Sequence, residues 1–329
     1  MIILRSEVVR QSLPMSQAIA AMKRAYAALS DGRAQAPLRL SMQIPWHEAT
    51  GLFMPAYVHD DTGEAMAVKA VALFPHNSER GLPLIQAAVL VMEADSGRPI
   101  ALVEGSTLTA IRTGAASGAA TDLLARPDSR VVAIFGAGVQ GRTQLEAVCT
   151  VRPVQTAWIY DPDRLRLEKF IAEIAGVASL PVDLRAADDP LQAVKDADVI
   201  CTATTSLTPV FSDADLKPGV HINAVGAYTP EMQEIPGDTV ARALVIVDSR
   251  AASLAEAGDL IQPIQQGRIT PEHIHAELGE IVLGRKQGRS SPAQVTFFKS
   301  VGIAVQDAMA ASLAVENAQK MGIAQMVEW

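Results

Sequence analysis

The sequence predicts an α/β protein in which a largely antiparallel sheet is followed by a doubly wound parallel one. Three observations carry that expectation: short apolar runs punctuated by Gly, Pro and Asp between residues 38 and 105, a strand and helix alternation from about residue 130, and a glycine triplet where the first of those strands ends. Ser16 is placed to cap an opening helix in which Ile19, Met22, Tyr26 and Leu29 recur at the helical period, and Ser30-Asp31-Gly32 ends it. The runs 38–44, 51–58, 64–74, 84–93 and 99–105 then read as strands. The turn Asp95-Ser96-Gly97-Arg98 is too short for a helical crossover, so the last two pair antiparallel. Farther on, 130–135, 156–160, 197–204, 221–226 and 244–249 read as strands, with helical segments at 143–151 and 165–176. Alternation of this kind builds a parallel sheet with helices on both faces. The segment 295–322 reads as one strongly helical tail that returns to the first domain, and 286–292 is the most loop-like stretch.

Composition bounds the function. A chain of 329 residues corresponds to about two domains. With 49% hydrophobic and 19% charged residues it is too apolar to be disordered. A net charge of -8, a pI near 5.3 and the lack of any basic run argue against a nucleic-acid or anionic-membrane partner. The two cysteines, Cys149 and Cys201, supply neither a disulfide framework nor a metal site, so no metal is expected and the compartment should be reducing. Neither a signal peptide nor a span of ~18 apolar residues is visible, and the expected location is the cytoplasm.

The sharpest motif is VVAIFGAGVQGRTQ, which sets Gly136, Gly138 and Gly141 in G-x-G-x-x-G spacing between a strand and a helix. Gly136 permits a tight turn, Gly138 lets the backbone approach a pyrophosphate, and Gly141 allows close helix-to-strand packing. The N–H groups at the helix start, with Val139 and Gln140 in its first turn, then favour the anion without a basic side chain. Asp161 follows the second strand, 20 residues beyond Gly141, where a carboxylate accepts from the adenosine ribose. A nicotinamide dinucleotide is therefore the expected cofactor. Asp161 disfavours a 2′-phosphate while Arg164 and Arg166 are near enough to attract one, so NAD(H) and NADP(H) both stay open. Thr202, Thr204 and Val225, in TATTS and AVGAYTP at strand ends, are candidates to edge the reaction site.

The blocks ALVEGSTLTAIRTGAASGAAT (101–121), VAIFGAGVQGRTQ, CTATTSLTPVF (201–211), HINAVGAYTPEMQEI (221–235), EAGDL (256–260) and FKSVGIAVQD (298–307) resemble the signature blocks of the ornithine cyclodeaminase/μ-crystallin family, in its order. The resemblance implies a Rossmann domain, residues 124–304, inserted in a smaller α/β domain of residues 1–123 plus 305–329 that binds substrate and mediates a homodimer. It adds Thr113 and Ser300 to the cofactor residues. It also implies that Arg39, Lys69 and Arg112 hold a substrate carboxylate. The chemistry suits this, since a guanidinium fork matches a carboxylate and Lys adds a compact charge. Lys69 and Arg112 lie in apolar surroundings where an unpaired charge is costly, so they need an anion. The competing reading pairs them with a local acid such as Glu104 or Glu64, or turns them to solvent.

The family's ammonia-releasing and alanine-oxidising members carry an Asp in the block after HINAVG, and here Tyr228 stands in its place. A phenol is a poor proton acceptor at neutral pH. Reducing a preformed imine does not need that base. The resemblance thus points to its ketimine reductases, with Δ1-pyrroline-2-carboxylate or Δ1-piperideine-2-carboxylate reduced by NAD(P)H to L-proline or L-pipecolate. Lys69, Tyr228 and water are the candidate proton donors. The alternatives are an ornithine cyclodeaminase or alanine dehydrogenase using another base, such as His221 or Glu231, and a non-enzymatic, NADP-regulated binder of μ-crystallin type.

Overall fold

Short apolar strands between residues 40 and 104 fold back on one another through turns, with burial alternating along Ala49–Asp60 and Gly63–Leu73, and a helix–strand rhythm takes over after residue 124. The computed structural model describes residues 1–177, 179–181 and 183–328. Its elements are β1 (Ile2–Leu4), α1 (Ser6–Ser12), α2 (Met15–Ser30), β2 (Ala34–Gln35), β3 (Leu40–Ile44), β4 (Ala49–Asp60), β5 (Gly63–Leu73), β6 (Ile85–Met92), β7 (Pro99–Glu104) and α3 (Gly105–Leu124). There follow β8 (Val131–Phe135), α4 (Val139–Val151), β9 (Thr156–Tyr160), α5 (Arg164–Ile174), β10 (Asp183–Ala186), α6 (Pro190–Val194), β11 (Val199–Thr202) and β12 (His221–Ala224). The chain continues with α7 (Gly237–Arg242), β13 (Leu244–Val247), α8 (Arg250–Glu256), α9 (Gly258–Gln265), β14 (Ile274–Glu277), α10 (Leu278–Val282) and β15 (Thr296–Lys299). It ends with α11 (Ala304–Lys320) and β16 (Gln325–Met326).

Two compact units result: Met1–Arg112 with the chain from Ile303, and Thr113–Gly302. The breaks read from sequence lay after residues 123 and 304. The first break in the structure falls inside the continuous helix α3, where no change of composition marks it.

The first unit holds a sheet in the order β16-β1-β7-β6-β5-β4-β2, with β3 also on β4; every pairing is antiparallel except β1 with β7. On β5 the buried residues Ala65, Ala67, Lys69 and Val71 alternate with less buried ones. Helix α11 packs on β4 and β5 and against α2, closing that core. The opening helix begins at Met15 after Pro14, so Ser16 lies inside it and gives no cap bond. Proline supplies the start instead, with its fixed φ and missing N–H.

The second unit is an all-parallel sheet in the order β10-β9-β8-β11-β12-β15-β13-β14. The sequence reads the tail from 295 as wholly helical, but Thr296–Lys299 is the strand β15, inside the sheet, and the helix begins only at Ala304. All four residues of β15 are buried, and a strand covered on both faces has no alternation to separate it from a buried helix. Strand order reverses between β8 and β11, which opens a crevice at their carboxyl ends.

Candidate active site

The loop from β8 to α4 is shaped by what its glycines touch. Gly136 has φ +100° and donates to Tyr160 O at 2.9 Å; a Cβ there would meet Ala203 O at 2.5 Å. A Cβ on Gly141 would lie 2.1 Å from Gly136 O, so the first turn of α4 sits directly on the loop. Gly138 differs, because a Cβ there meets nothing within 4 Å. That open space adjoins a cleft of about 490 Å³ lined by Gly136, Gly138, Asp161, Arg166, Thr204 and neighbours. At the start of α4 Val139 is exposed and Gln140 half-buried, and a helix's first N–H groups have no partner within the helix. These residues fit a dinucleotide.

Asp161 is nearly buried just past β9, and both of its oxygens are engaged. Oδ2 accepts from Ala137 N at 2.9 Å and Oδ1 from Asp163 N at 2.9 Å. Arg164 does not line the cleft; it reaches Glu168 at 3.2 Å and Asp188 at 3.1 Å, whereas Arg166 lines it with Nη1 3.7 Å from Asp161. Of the two arginines that the sequence places near the cofactor site, only Arg166 lines this cleft, because the direction a helix surface side chain takes cannot be read from proximity alone.

Buried carboxylates fasten the other loops of this unit. Glu234 Oε1 accepts from Thr204 N (2.7 Å) and Thr204 Oγ1 (2.8 Å), and Oε2 from Gly226 N (2.8 Å) and Ala227 N (3.1 Å). One side chain thereby joins the loops after β11 and β12. Burial and the nearby Asp259 charge push the Glu234 carboxyl above its ordinary range. Asp259 in turn accepts from Glu234 N and Ile235 N, and its Oδ2 lies 2.9 Å from Lys299 Nζ. Ser300 spends its hydroxyl on Asp248 at 2.8 Å, and Val225 N bonds Thr202 O at 3.0 Å. Thr202 Oγ1 is buried with no hydrogen-bond partner among the described residues. Thr113, on α3, accepts weakly from Gln144 at 3.4 Å.

In the first unit, Lys69 and Arg112 do find an acid, and it is neither of those anticipated. Glu104 accepts from Ser106 N and Thr107 N at the start of α3, and Glu64 accepts from Tyr57 Oη. The partner is Asp307 of α11, with Oδ2 2.7 Å from Lys69 Nζ and Oδ1 3.0 Å from Arg112 Nε. Arg112 Nη1 also donates to Gln306 Oε1 at 3.0 Å. Burial, opposed by Asp307 and assisted by Arg112 and Arg39, brings the Lys69 amine down to about 8. Burial alone would raise Asp307, but Arg112 and Lys69 hold it below the ordinary carboxylate range.

Tyr228 lies half-buried in the loop after β12. His221 is buried at the opposite, amino end of that strand, bonded to Thr296 and Asn223, and burial pushes it down to about 3. Glu231 is exposed. Sequence reasoning missed Asp307, Glu234, Asp259 and Lys299, although all four stand in the quoted blocks; a charge inside an apolar block was the available signal. Among the described residues no cluster of His, Cys, Asp and Glu is arranged to hold a metal, and no helix is long and apolar enough to cross a membrane.

The chain is 37% identical over 330 aligned positions to Δ1-pyrroline-2-carboxylate reductase of Bacillus cereus, with the whole of both chains covered. The solved structure of Thermococcus litoralis Δ1-pyrroline-2-carboxylate reductase in complex with NADH and L-proline superposes with a TM-score of 0.94 at 40% identity, covering 99% of this chain and 100% of that one. An archaeal alanine dehydrogenase dimer with bound NAD has a TM-score of 0.92 at 29% identity, over 100% and 99% of the two chains. The model of the ornithine cyclodeaminase/mu-crystallin family matches residues 1–322, and this protein belongs to that family.

Proposed function

We propose that the protein is an NAD(P)H-dependent ketimine reductase that converts Δ1-pyrroline-2-carboxylate, its six-membered homologue, or both to the cyclic L-amino acid. The observation that carries this reading is a surplus of charge: two buried cations, Lys69 and Arg112, share a single carboxylate, Asp307, among the described residues. A planar ring carboxylate is the anion that such a set accepts, with Arg112 offering a charge-assisted fork. When bound, a reduced nicotinamide supplies the hydride. Gly136, Gly138, the start of α4 and Asp161 would hold the dinucleotide. This chain's own work is to orient the ring by its carboxylate and to protonate the imine nitrogen.

A cyclodeaminase or amino-acid dehydrogenase needs a base for the substrate amine, and the candidates are unsuited. Tyr228 is a phenol, His221 is buried at the wrong strand end, and Glu231 is an exposed charge. The test mixes purified protein with each ketimine and NADH or NADPH and follows loss of the reduced cofactor's absorbance. Oxidation is expected, with no ammonia from ornithine and NAD. Binding without oxidation would favour a ligand-binding protein, and rapid ammonia release would restore the cyclodeaminase.

A homodimer fits the first unit's sheet, whose face away from α11 stays apolar. Leu40, Phe53, Ala70 and Ala88 are register neighbours across β3 to β6, and Leu40 and Phe53 are 65% and 36% exposed. A Leu40→Asp/Phe53→Asp double variant should elute as a monomer by light scattering while the parent is a dimer; a monomeric parent at micromolar concentration would refute the assembly. The thiols of Cys149 and Cys201, pushed up by burial to about 12, suit the reducing cytoplasm.

A further inference from the structure

Asp307 is a buried carboxylate to which the reaction above gives no task. It joins three elements distant in sequence: α11, which carries it, β5 through Lys69, and α3 through Arg112. The three side chains are 1%, 2% and 6% exposed respectively. Gln306 beside it accepts from Arg112 Nη1 at 3.0 Å and donates to the hydroxyl of Tyr26, on α2, at 2.6 Å. Arg112 is thus fixed by Nε and Nη1, and Nη2 has no bond among the described residues. Simple packing does not call for this arrangement, since well-packed apolar side chains would fill the same space without desolvating three charges.

We propose that Asp307 is a positioning residue for imine reduction: it aims the Lys69 ammonium at the ketimine nitrogen as proton donor and fixes Arg112 so that Nη2 meets the substrate carboxylate. The inference rests on the ketimine-reductase reading. In the balanced step the imine carbon gains a hydride and its nitrogen gains the Lys69 proton. The C=N π bond is lost, the reduced nicotinamide is the two-electron donor, and Lys69 regains its proton from water. The charged groups facing Lys69 are Asp307 from α11, Arg112 from α3 and Arg39 ahead of β3, while its register partners Met54 on β4 and Val89 on β6 are apolar. Asp307 favours the ammonium; burial and the two arginines oppose it, which leaves an amine that releases its proton near pH 8.

Asp307→Asn removes the one opposing charge, so the lysine loses its proton at lower pH. The alkaline limb of kcat should move down by about one pH unit or more, with kcat at pH 8 falling about tenfold and KM changing less. Asp307→Glu should return the limb toward the parent. Lys69→Arg keeps the ion pair but gives up no proton near neutrality, so kcat should fall about a hundredfold with KM for the ketimine nearly kept. NADH affinity, read by fluorescence titration, should be unchanged in all three. An unmoved pH profile in Asp307→Asn, or full kcat in Lys69→Arg, overturns the proposal; should the Asn variant not fold, Lys69→Arg alone decides it. A parent that reduces no ketimine refutes the underlying reading instead.

Discussion

Replacing Arg112 by leucine is expected to lower kcat/KM for the ketimine at least about tenfold, because each charge-assisted hydrogen bond to the substrate carboxylate contributes about 1.5–3 kcal/mol. The same change strips Asp307 of its Arg112 Nε bond and leaves Gln306 without the Nη1 donor. Breaking a buried pair on one side costs about 3–5 kcal/mol of stability, so the melting temperature should fall as well. Steady-state kinetics and thermal denaturation on the same preparation separate the two effects. Arg112→Lys keeps the charge but loses the fork, and should recover stability more than kcat/KM. A leucine variant with unchanged kcat/KM would mean that the carboxylate binds elsewhere.

Glu234→Gln should weaken NADH binding about tenfold or more and lower the melting temperature. The carboxylate accepts four hydrogen bonds, two on each oxygen, from Thr204, Gly226 and Ala227. A glutamine has one accepting oxygen, so its NH₂ faces either the Gly226 and Ala227 N–H groups or the Thr204 N–H beside a hydroxyl that would have to turn round. Each buried donor left unmatched costs about 1–3 kcal/mol, which is enough to part the loops after β11 and β12. The space offers no easy relief, since a Cβ on Gly226 would already lie 2.2 Å from Thr204 O and 2.4 Å from Glu234 Oε1. Fluorescence titration with NADH checks the expectation; an affinity equal to the parent's would show that the two loops hold their places without this carboxylate.

Most of the antiparallel strands are legible as short apolar runs cut by Gly, Pro and Asp turns; β5 and β6 carry apolar residues on both faces, so the turns, not a period, bound them. The glycine-rich loop is legible for a different reason. Gly136, Gly138 and Gly141 answer to backbone geometry and to the first turn of their own helix, all within one short segment. β15 reads as helix in the sequence because Val295, Phe297 and Phe298 form a buried apolar run without alternation, and β14 and β10 leave little periodic signal because they are short and carry charged residues.

Charge partners behave differently from strands. Lys69 and Arg112 were legible as cations in apolar surroundings, and burial without an anion is costly enough that one had to exist. Its identity was not legible, because Asp307 lies 195 residues from Arg112 and meets it only when α11 packs on the sheet of the first unit. Arg164 and Arg166 teach the same lesson at short range, since the direction each takes from α5 depends on whether Glu168, Asp188 or Asp161 is within reach. Apolar runs, turn chemistry and the glycine loop are written locally, so the order of residues establishes most of the two sheets and the shape of that loop. Which acid neutralises which cation is settled by packing between distant elements, because electrostatic attraction in a buried site depends on separation in space, and separation along the chain carries almost none of that information.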